Sequence, residues 1–326
     1  MNKIKLLVIG PPGHPSLRTL DSLKDAAEIA VGDTPEFLNE HAAEAEVVLY
    51  TGLEGKTLPF AEIWPHLASI KWVHSLSAGV EKYMIPAFVE SPVPLTNARG
   101  VFKRSLADFA ILGILYFTKK VRRLVESQRA HKWENFGVGW VPDKVVGIVG
   151  YGEIGQECGR LAKAMGMKVH AVRRNPERSK EDPLLERVFP SAQLHEMLQE
   201  VDVVIAAAPL THNTRHMLSD SEFNAMKRSA IVINVGRGPV IDEAALIRAL
   251  QAKTIAGAAL DVFEEEPLPP TSPLWDMENV LISPHCTDRT ENPDWQELSV
   301  QLFLRNFEHY RKGEPLENVV DKKAGY

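Results

Sequence analysis

Three short segments carry polar side chains directly after predicted strands: Asn234 to Gly238, Asp261 to Pro267 and Ser283 to His285. The carboxyl ends of parallel strands share one edge of a sheet, so an arginine, a carboxylate and an imidazole from these segments can meet there. An imidazole bonded to a carboxylate keeps its proton more readily and is held in one tautomer. An arginine fork suits a substrate carboxylate and polarises a carbonyl. The pattern predicts an acid–base centre that protonates a substrate oxygen while hydride arrives at carbon.

Each segment alone has a plainer interpretation. A histidine after a strand is usually structural, and Glu264 to Glu266 could be a solvated loop. Arg237, which lies between two glycines, could simply bind an anion. The three segments favour chemistry together because they follow a nucleotide-binding motif.

That motif is the run Val145 to Gly155, in which an apolar stretch precedes Gly150, Gly152 and Gly155. A predicted helix from Glu153 to Met165 and a strand from Lys168 to Val172 follow. In this context the first glycine allows a tight turn, the second admits a pyrophosphate and the third lets helix and strand pack closely. The helix N-terminus then offers free N–H groups to the phosphates. A dinucleotide site is therefore predicted.

Alternating strands and helices predict two α/β units with parallel sheets. In the first unit the strands are expected at Lys5 to Ile9, Glu28 to Val31, Val47 to Tyr50, Trp72 to Ser75, and Leu95 to Thr96. After the fourth strand come Ser77, Ala78, Gly79 and Val80, which form either an anion-binding loop with backbone donors or a plain turn. A long amphipathic pattern, Ser105 to Ala130, predicts one helix that contacts a core or a dimer partner.

The second unit has further predicted strands, and a terminal helix after it could return to the first unit, which would then be discontinuous. The strands are expected at Asp202 to Ala207, Ile231 to Asn234, Ile255 to Leu260, and Val280 to Ile282, and the terminal helix at Trp295 to Arg311.

Composition excludes several function classes. The 326 residues carry a formal net charge of −6, which offers no electrostatic footprint for nucleic acid. Two cysteines, Cys158 and Cys286, cannot build a disulfide framework or a multi-cysteine metal site. The sequence shows no sign of a metal cluster, and no metal is expected. The longest apolar stretch, Phe109 to Phe117, is too short to span a membrane, and we expect a cytoplasmic protein.

The motifs together resemble those of the D-isomer-specific 2-hydroxyacid dehydrogenases, among them the glyoxylate and hydroxypyruvate reductases. The resemblance extends over about residues 70 to 290 and implies two Rossmann-like, doubly wound parallel-sheet domains with the active-site cleft between them, usually in a homodimer. We expect residues 1–98 with 287–326 to form the substrate-binding domain and residues 99–286 the dinucleotide-binding domain. The matching segments are Ser77 to Val80, Asn97 to Val101, Gly150 to Gly155, Pro209 to Thr211 with Thr214, Asn234 to Gly238, Ala259 to Phe263 with Glu266-Pro267, and Ser283 to His285.

By this resemblance Arg237 would bind the substrate carboxylate and keto oxygen, and His285, paired with Glu266, would be the general acid in reduction. Asp261 would hold the nicotinamide amide, and the loop of Ser77, Ala78, Gly79 and Val80 would bind the substrate carboxylate. The residues expected around the cofactor are Gly150, Tyr151, Gly152, Glu153, Ile154, Gly155, Arg173, Arg174, Pro209, Thr214, Val235, Gly236 and Asp261.

The sequence departs from the usual patterns at two places. NAD-binding folds usually place an acid at the end of the second strand, where this chain has Arg173 and Arg174. Arginines would pair with a 2′-phosphate, so we expect NADP(H) to be preferred, with NAD(H) as the alternative; if both arginines are only solvated, the enzyme is indifferent. The loop Cys286 to Thr290 also replaces the family's small, glycine-bearing segment, which leaves the substrate open.

The sequence therefore predicts reduction of small 2-keto acids, such as glyoxylate or hydroxypyruvate, to D-2-hydroxy acids, with hydride from nicotinamide and a proton from His285. The alternative is a dinucleotide-sensing, corepressor-like binding protein on the same fold.

Overall fold

A computed structural model describes residues 3–53, 57–291 and 294–326. The chain forms two compact units, the first made of Met1–Phe102 with Arg289–Tyr326 and the second of Lys103–Asp288. The first segment was expected to end at residue 98 but ends at Phe102, and the second unit was expected to end at residue 286 but ends at Asp288. The turn after residue 97 stays with the first unit because the Ala98 N–H donates to the Ser77 carbonyl at 3.2 Å.

The first unit has a five-stranded parallel sheet in the order β2-β1-β3-β4-β5. Short 3-10 helices at Pro15–Leu23, Trp64–His66 and Glu81–Tyr83 join its elements. The elements are β1 (Ile4–Ile9), β2 (Ala27–Gly32), α1 (Pro35–His41), β3 (Val47–Tyr50), α2 (Phe60–Ile63), β4 (Trp72–Ser75), α3 (Pro86–Val89), β5 (Leu95–Asn97) and, from the chain end, α10 (Trp295–Lys312).

Helix α10 completes the core of the first unit. The helix begins after Asp294, whose carboxylate accepts the N–H groups of Gln296 and Glu297. Its apolar face covers the sheet, where Phe303 stacks on Trp72 with ring centroids 5.4 Å apart. The expected return of the terminal helix to the first unit is therefore present.

The second unit has a seven-stranded parallel sheet in the order β12-β11-β10-β9-β6-β7-β8, with an apolar cluster on each face. Both units are thus parallel α/β structures, which confirms the predicted Rossmann-like fold class. Its elements are α4 (Lys103–Thr118), α5 (Val121–Arg129), β6 (Val145–Val149), α6 (Glu153–Ala164), β7 (Lys168–Val172), β8 (Arg187–Phe189), α7 (Leu194–Glu200), β9 (Val203–Ala206), α8 (Asp220–Ala225), β10 (Ile231–Asn234), α9 (Glu243–Gln251), β11 (Gly257–Leu260) and β12 (Val280–Ile282).

The single helix predicted over residues 105–130 is wrong, since the structure has two helices there. Helix α4 ends at Thr118, and Lys120 adopts a left-handed conformation with φ 54° before α5 begins. The two helices differ in environment, because α4 packs apolar residues into the core whereas α5 buries none of its residues. The apolar periodicity of the sequence does not indicate that the buried helix ends at Thr118, before the exposed helix begins.

Strand β8 was not predicted, because it is only three residues long and begins with an exposed arginine at the sheet edge. Asp202, predicted inside a strand, lies just before β9, where its carboxylate accepts the Val145 N–H at 2.9 Å. Among residues 3–53, 57–291 and 294–326, no helix has the length and apolar character needed to cross a bilayer.

Candidate active site

The glycine turn between β6 and α6 is packed too tightly for side chains at two positions. Gly150 has φ +94°, and a Cβ there would lie 2.5 Å from the backbone of Ala208. A Cβ on Gly155 would lie 2.3 Å from the Gly150 carbonyl oxygen. These two glycines therefore serve the turn and the close packing of the helix against its strand.

Gly152 differs, because a Cβ there would meet no atom within 4 Å. The backbone N–H groups of Gly152, Glu153 and Ile154 donate to no acceptor in the described chain, so they are available at the positive end of α6. The Glu153 carboxylate is paired with Lys103 at 2.7 Å, which offsets its charge at this helix end. Open space and unused donors fit a pyrophosphate.

Three other residues predicted to contact the cofactor are Tyr151, Pro209 and Thr214. The hydroxyl of buried Tyr151 donates to Asp182 at 3.1 Å, so Tyr151 leaves only its backbone for a ligand. Thr214 and Pro209 lie together, since the Thr214 hydroxyl donates to the Pro209 carbonyl at 2.6 Å.

Both arginines follow β7, as predicted, but they differ in exposure. Arg174 is exposed. Arg173 is half-buried, and its guanidinium donates to the hydroxyl of buried Ser179. Within the described chain, the end of β7 therefore presents guanidinium groups where a carboxylate is usual in NAD-binding folds.

The three predicted chemical segments begin at paired positions of neighbouring strands or one residue after them. Asn234 of β10 pairs with Leu260 of β11, and Leu260 pairs with Ile282 of β12. Arg237, Glu266 and His285 therefore leave the same sheet edge despite their separation in sequence.

A turn built by Asn234 positions Arg237. The buried Asn234 side chain donates to the Arg237 carbonyl at 3.1 Å and accepts the Gly236 N–H at 3.1 Å. Val235, directly after β10, is buried, and a Cβ on Gly236 would lie 2.8 Å from the Ala208 carbonyl oxygen. Arg237 itself donates to the Gly236 carbonyl at 2.8 Å, and its charge helps to lower the pKa of Glu266.

His285 and Glu266 form the acid–base pair. The His285 Nδ1 lies 2.6 Å from Glu266 Oε2, and their side chains remain 43% and 34% exposed, so a substrate can reach them. The hydrogen bond to Glu266 raises the pKa of His285, against the effect of burial. Burial would raise the pKa of Glu266, but the bonds from His285 and the Phe263 N–H lower it. The pair thus favours imidazolium beside carboxylate.

Asp261 holds the loop that carries His285. Its carbonyl accepts the His285 N–H at 2.9 Å, and His285 has φ 49°, a left-handed conformation that is unusual for a non-glycine residue. Its fully buried carboxylate accepts the Ser283 hydroxyl at 2.7 Å, the Thr287 hydroxyl at 2.6 Å and the N–H groups of Cys286 and Thr287. The expected contact between Asp261 and a nicotinamide amide stays a prediction.

The loop Ser77–Val80 of the first unit is a turn that side-chain hydrogen bonds hold in place and that has unused backbone N–H donors. The Ser77 hydroxyl donates to the Gly79 carbonyl at 3.1 Å, and the Asn97 side chain donates to the Ala78 carbonyl at 2.7 Å. In the described parts of the chain, the N–H groups of Ala78, Gly79 and Val80 donate to no acceptor. Consecutive free amides are what an anion-binding loop requires.

Three residues that support the site were not predicted from the sequence: Asn234, Ser283 and Thr287, whose side chains orient the segments of Arg237 and His285. Asn234 and Ser283 stood inside motifs but were given no role. Thr287 lies in the unusual loop after His285, where only the charges were considered. A hydroxyl two residues after a proposed catalytic histidine was the available signal.

The second unit matches a family model. The model is described as "D-isomer specific 2-hydroxyacid dehydrogenase, NAD binding domain" and matches residues 111–287. This range contains Gly150 to Gly155, Arg237, Glu266 and His285.

Curated relatives cover most of the chain. A glyoxylate reductase of Thermococcus gammatolerans is 33% identical over 275 residues, which is 81% of this chain and 80% of the relative. A glyoxylate reductase of Thermococcus onnurineus is 34% identical over 278 residues, with shares of 81% and 80%.

Solved structures are similar over nearly the whole length. A D-isomer-specific 2-hydroxyacid dehydrogenase of Xanthobacter autotrophicus, in complex with NADPH and MES, is 27% identical with a TM-score of 0.84, and each chain is covered to 100%. An NADPH-dependent glyoxylate/hydroxypyruvate reductase of Sinorhizobium meliloti, with NADP and sulfate, is 25% identical with a TM-score of 0.84, covering 99% of this chain and 100% of that one.

Proposed function

Because this chain belongs to the D-isomer-specific 2-hydroxyacid dehydrogenase family, we propose that it reduces small 2-keto acids, such as glyoxylate or hydroxypyruvate, with NADPH. The products are 2-hydroxy acids, of D configuration where a stereocentre forms. The observation that carries the proposal is the pair His285–Glu266, with Nδ1 and Oε2 2.6 Å apart at the same sheet edge as Arg237. A raised imidazole pKa keeps a proton available at neutral pH.

In this proposal the bound nicotinamide supplies the hydride, and the chain supplies charge and a proton. Arg237 binds the substrate carboxylate and polarises the keto oxygen. His285 gives its proton to that oxygen as the carbonyl carbon is reduced, and Glu266 stabilises the imidazolium beforehand. The free amides of Ala78, Gly79 and Val80 add donors for the substrate carboxylate.

NADPH is proposed over NADH because the end of β7 carries Arg173 and Arg174. A guanidinium pairs with a 2′-phosphate, whereas the acid usual at this position would repel it. The NADPH and NADP bound in the Xanthobacter and Sinorhizobium structures agree with this preference.

The test is a steady-state assay that follows nicotinamide absorbance. NADPH and NADH are each paired with glyoxylate, hydroxypyruvate, pyruvate and a bulkier aryl keto acid. His285→Ala should lower kcat at least a hundredfold, from the loss of general acid catalysis, with cofactor binding nearly intact. His195→Ala is the control, because His195 is also paired with a glutamate at 2.6 Å but lies on α7.

Tight NADPH binding without turnover of any keto acid would favour the sensing protein instead. Turnover that His285→Ala leaves unchanged would remove His285 from the mechanism.

A further inference from the structure

Lys82 carries a charge at the edge of the first unit's sheet. It lies in the 3-10 helix Glu81–Tyr83, directly after the loop Ser77–Val80 that follows β4. Its Nζ lies 4.2 Å from the ring centroid of Tyr50, at the end of the neighbouring strand β3. A Cβ on Gly52 would lie 3.6 Å from the same Nζ. The ammonium is thus held beyond the carboxyl end of β3, one strand away from the free amides of the loop.

The aromatic rings that hold this ammonium are themselves fixed. The Tyr50 hydroxyl donates to the Leu58 carbonyl, and the Tyr83 hydroxyl donates to Ser75, both at 2.8 Å. The two rings meet edge to face with centroids 5.5 Å apart, and the Lys82 Nζ is 5.3 Å from the centroid of Tyr83. An ammonium on ring faces keeps the N–H donors that point away from the rings for a further partner.

The charge of Lys82 has no ion-pair partner among the described carboxylates. Lys82 is exposed as a residue, but its ammonium lies against the two rings, and the burial of that group lowers its pKa to about 8. Glu81 opposes this shift, and the pKa values of Tyr50 and Tyr83 are raised, so neither phenol supplies a negative charge near neutral pH. An incompletely hydrated cation without a counter-ion gains from binding an anion.

We propose that Lys82 binds a second carboxylate of the substrate, so that 2-keto dicarboxylic acids are reduced in preference to monocarboxylic 2-keto acids of the same length. This inference rests on the proposed function, in which the loop Ser77–Val80 holds the first carboxylate. Neighbouring strands are about 4.8 Å apart, so two anion sites one strand apart suit carboxylates separated by a chain of a few carbons.

The experiment compares kcat/KM for 2-oxoglutarate with that for 2-oxovalerate, two acids of equal chain length. We expect the wild-type protein to favour 2-oxoglutarate by at least about tenfold, the scale of one charge-assisted hydrogen bond. Lys82→Met should lower this ratio about tenfold or more, and Lys82→Arg should keep most of it. Lys24→Met is the matched control, since Lys24 is an exposed lysine of the same unit that is paired with Asp21.

The pH dependence of the same ratio adds an independent readout. As the pH rises through about 8, Lys82 loses its proton and the preference for 2-oxoglutarate should decline. The titration of His285 affects both substrates and cancels in the ratio. This decline should be absent in Lys82→Met.

The outcomes separate the two proposals. Clear glyoxylate turnover with no preference for 2-oxoglutarate would overturn the role of Lys82 and keep the reductase. An equal ratio in wild type and Lys82→Met, with both proteins folded by circular dichroism, would also overturn it. No turnover of any keto acid would remove the proposed function and, with it, this inference.

Discussion

The His285 Nδ1 lies 2.6 Å from Glu266 Oε2, and the other oxygen of that carboxylate accepts the Phe263 N–H at 2.9 Å. A backbone N–H therefore orients the Glu266 carboxylate, and the carboxylate in turn orients the His285 imidazole. Because Nδ1 is bonded to Glu266, Nε2 is the ring nitrogen of His285 that can face a substrate.

Replacement of Glu266 by glutamine should shift the pH profile of reduction. Glu266 raises the pKa of His285, so the wild-type protein keeps its acid protonated above the ordinary histidine pKa and loses activity as pH rises through the raised value. In Glu266→Gln the alkaline limb of kcat/KM should move to lower pH, and kcat should fall roughly tenfold to a hundredfold. Exposed Glu265→Gln is the control, and an unshifted limb would contradict the pairing.

The cofactor preference should depend on the two arginines after β7. We expect the double variant Arg173→Gln/Arg174→Gln to raise KM for NADPH at least about tenfold and to change KM for NADH much less, because only NADPH has the 2′-phosphate. The measurement is the ratio of kcat/KM for the two cofactors with glyoxylate. Arg178→Gln, an exposed arginine in the 3-10 helix Pro176–Ser179, is the control. A ratio equal to that of the wild type would show that the arginines are only solvated.

The hydroxyl of Thr287 should stabilise the loop that carries His285. Thr287→Val keeps the shape of the side chain but removes its donor to the buried Asp261 carboxylate. Loss of a bond to a charged, buried acceptor should lower the free energy of unfolding by about 1.5–3 kcal/mol. Urea denaturation measures this loss, and kcat should fall with it because the backbone of His285 is less firmly held. An unchanged free energy of unfolding would mean that the other donors to Asp261 suffice.

Self-association is expected through exposed aromatic residues of the second unit. The side chains of Trp133 and Trp140 are 97% and 71% exposed. Large exposed aromatic residues typically supply much of the binding energy of an interface. We predict a homodimer in solution, about twice the 36.3 kDa chain, and a monomer at the same concentration for Trp133→Ser/Trp140→Ser.

Light scattering after size exclusion distinguishes the two masses. Trp275→Ser is the control, because Trp275 is half exposed but its indole N–H is already bonded to the Pro269 carbonyl. A monomeric wild-type protein would contradict the prediction.

The glycine turn and the grouping of the acid–base residues could be predicted from short sequence motifs. The strand β6 and the glycines that follow it were placed correctly, because the turn tolerates no Cβ at Gly150 and Gly155. The grouping of Arg237, Glu266 and His285 at one edge followed from the rule that parallel strands end together.

Features set by tertiary packing were not predictable in the same way. The break at Lys120 between α4 and α5 depends on where burial ends, which periodicity does not encode. The partners of the Asp261 carboxylate come from a loop 22 to 26 residues further along the chain. The position of Lys82 over Tyr50 depends on the pairing of β3 with β4, so its charge had no visible significance in the sequence.

The late position of α10 in the chain has a consequence for synthesis on the ribosome. Trp72 packs against Phe303 and Tyr310 of this helix, and the Val320 N–H completes the edge of β5. The strands of the first unit emerge early, but the part of the sheet that α10 covers stays exposed until the whole second unit has been translated. The second unit is continuous and can fold as it emerges. Until α10 emerges, the nascent chain therefore exposes apolar side chains of this sheet such as Trp72, and chaperone demand should concentrate there.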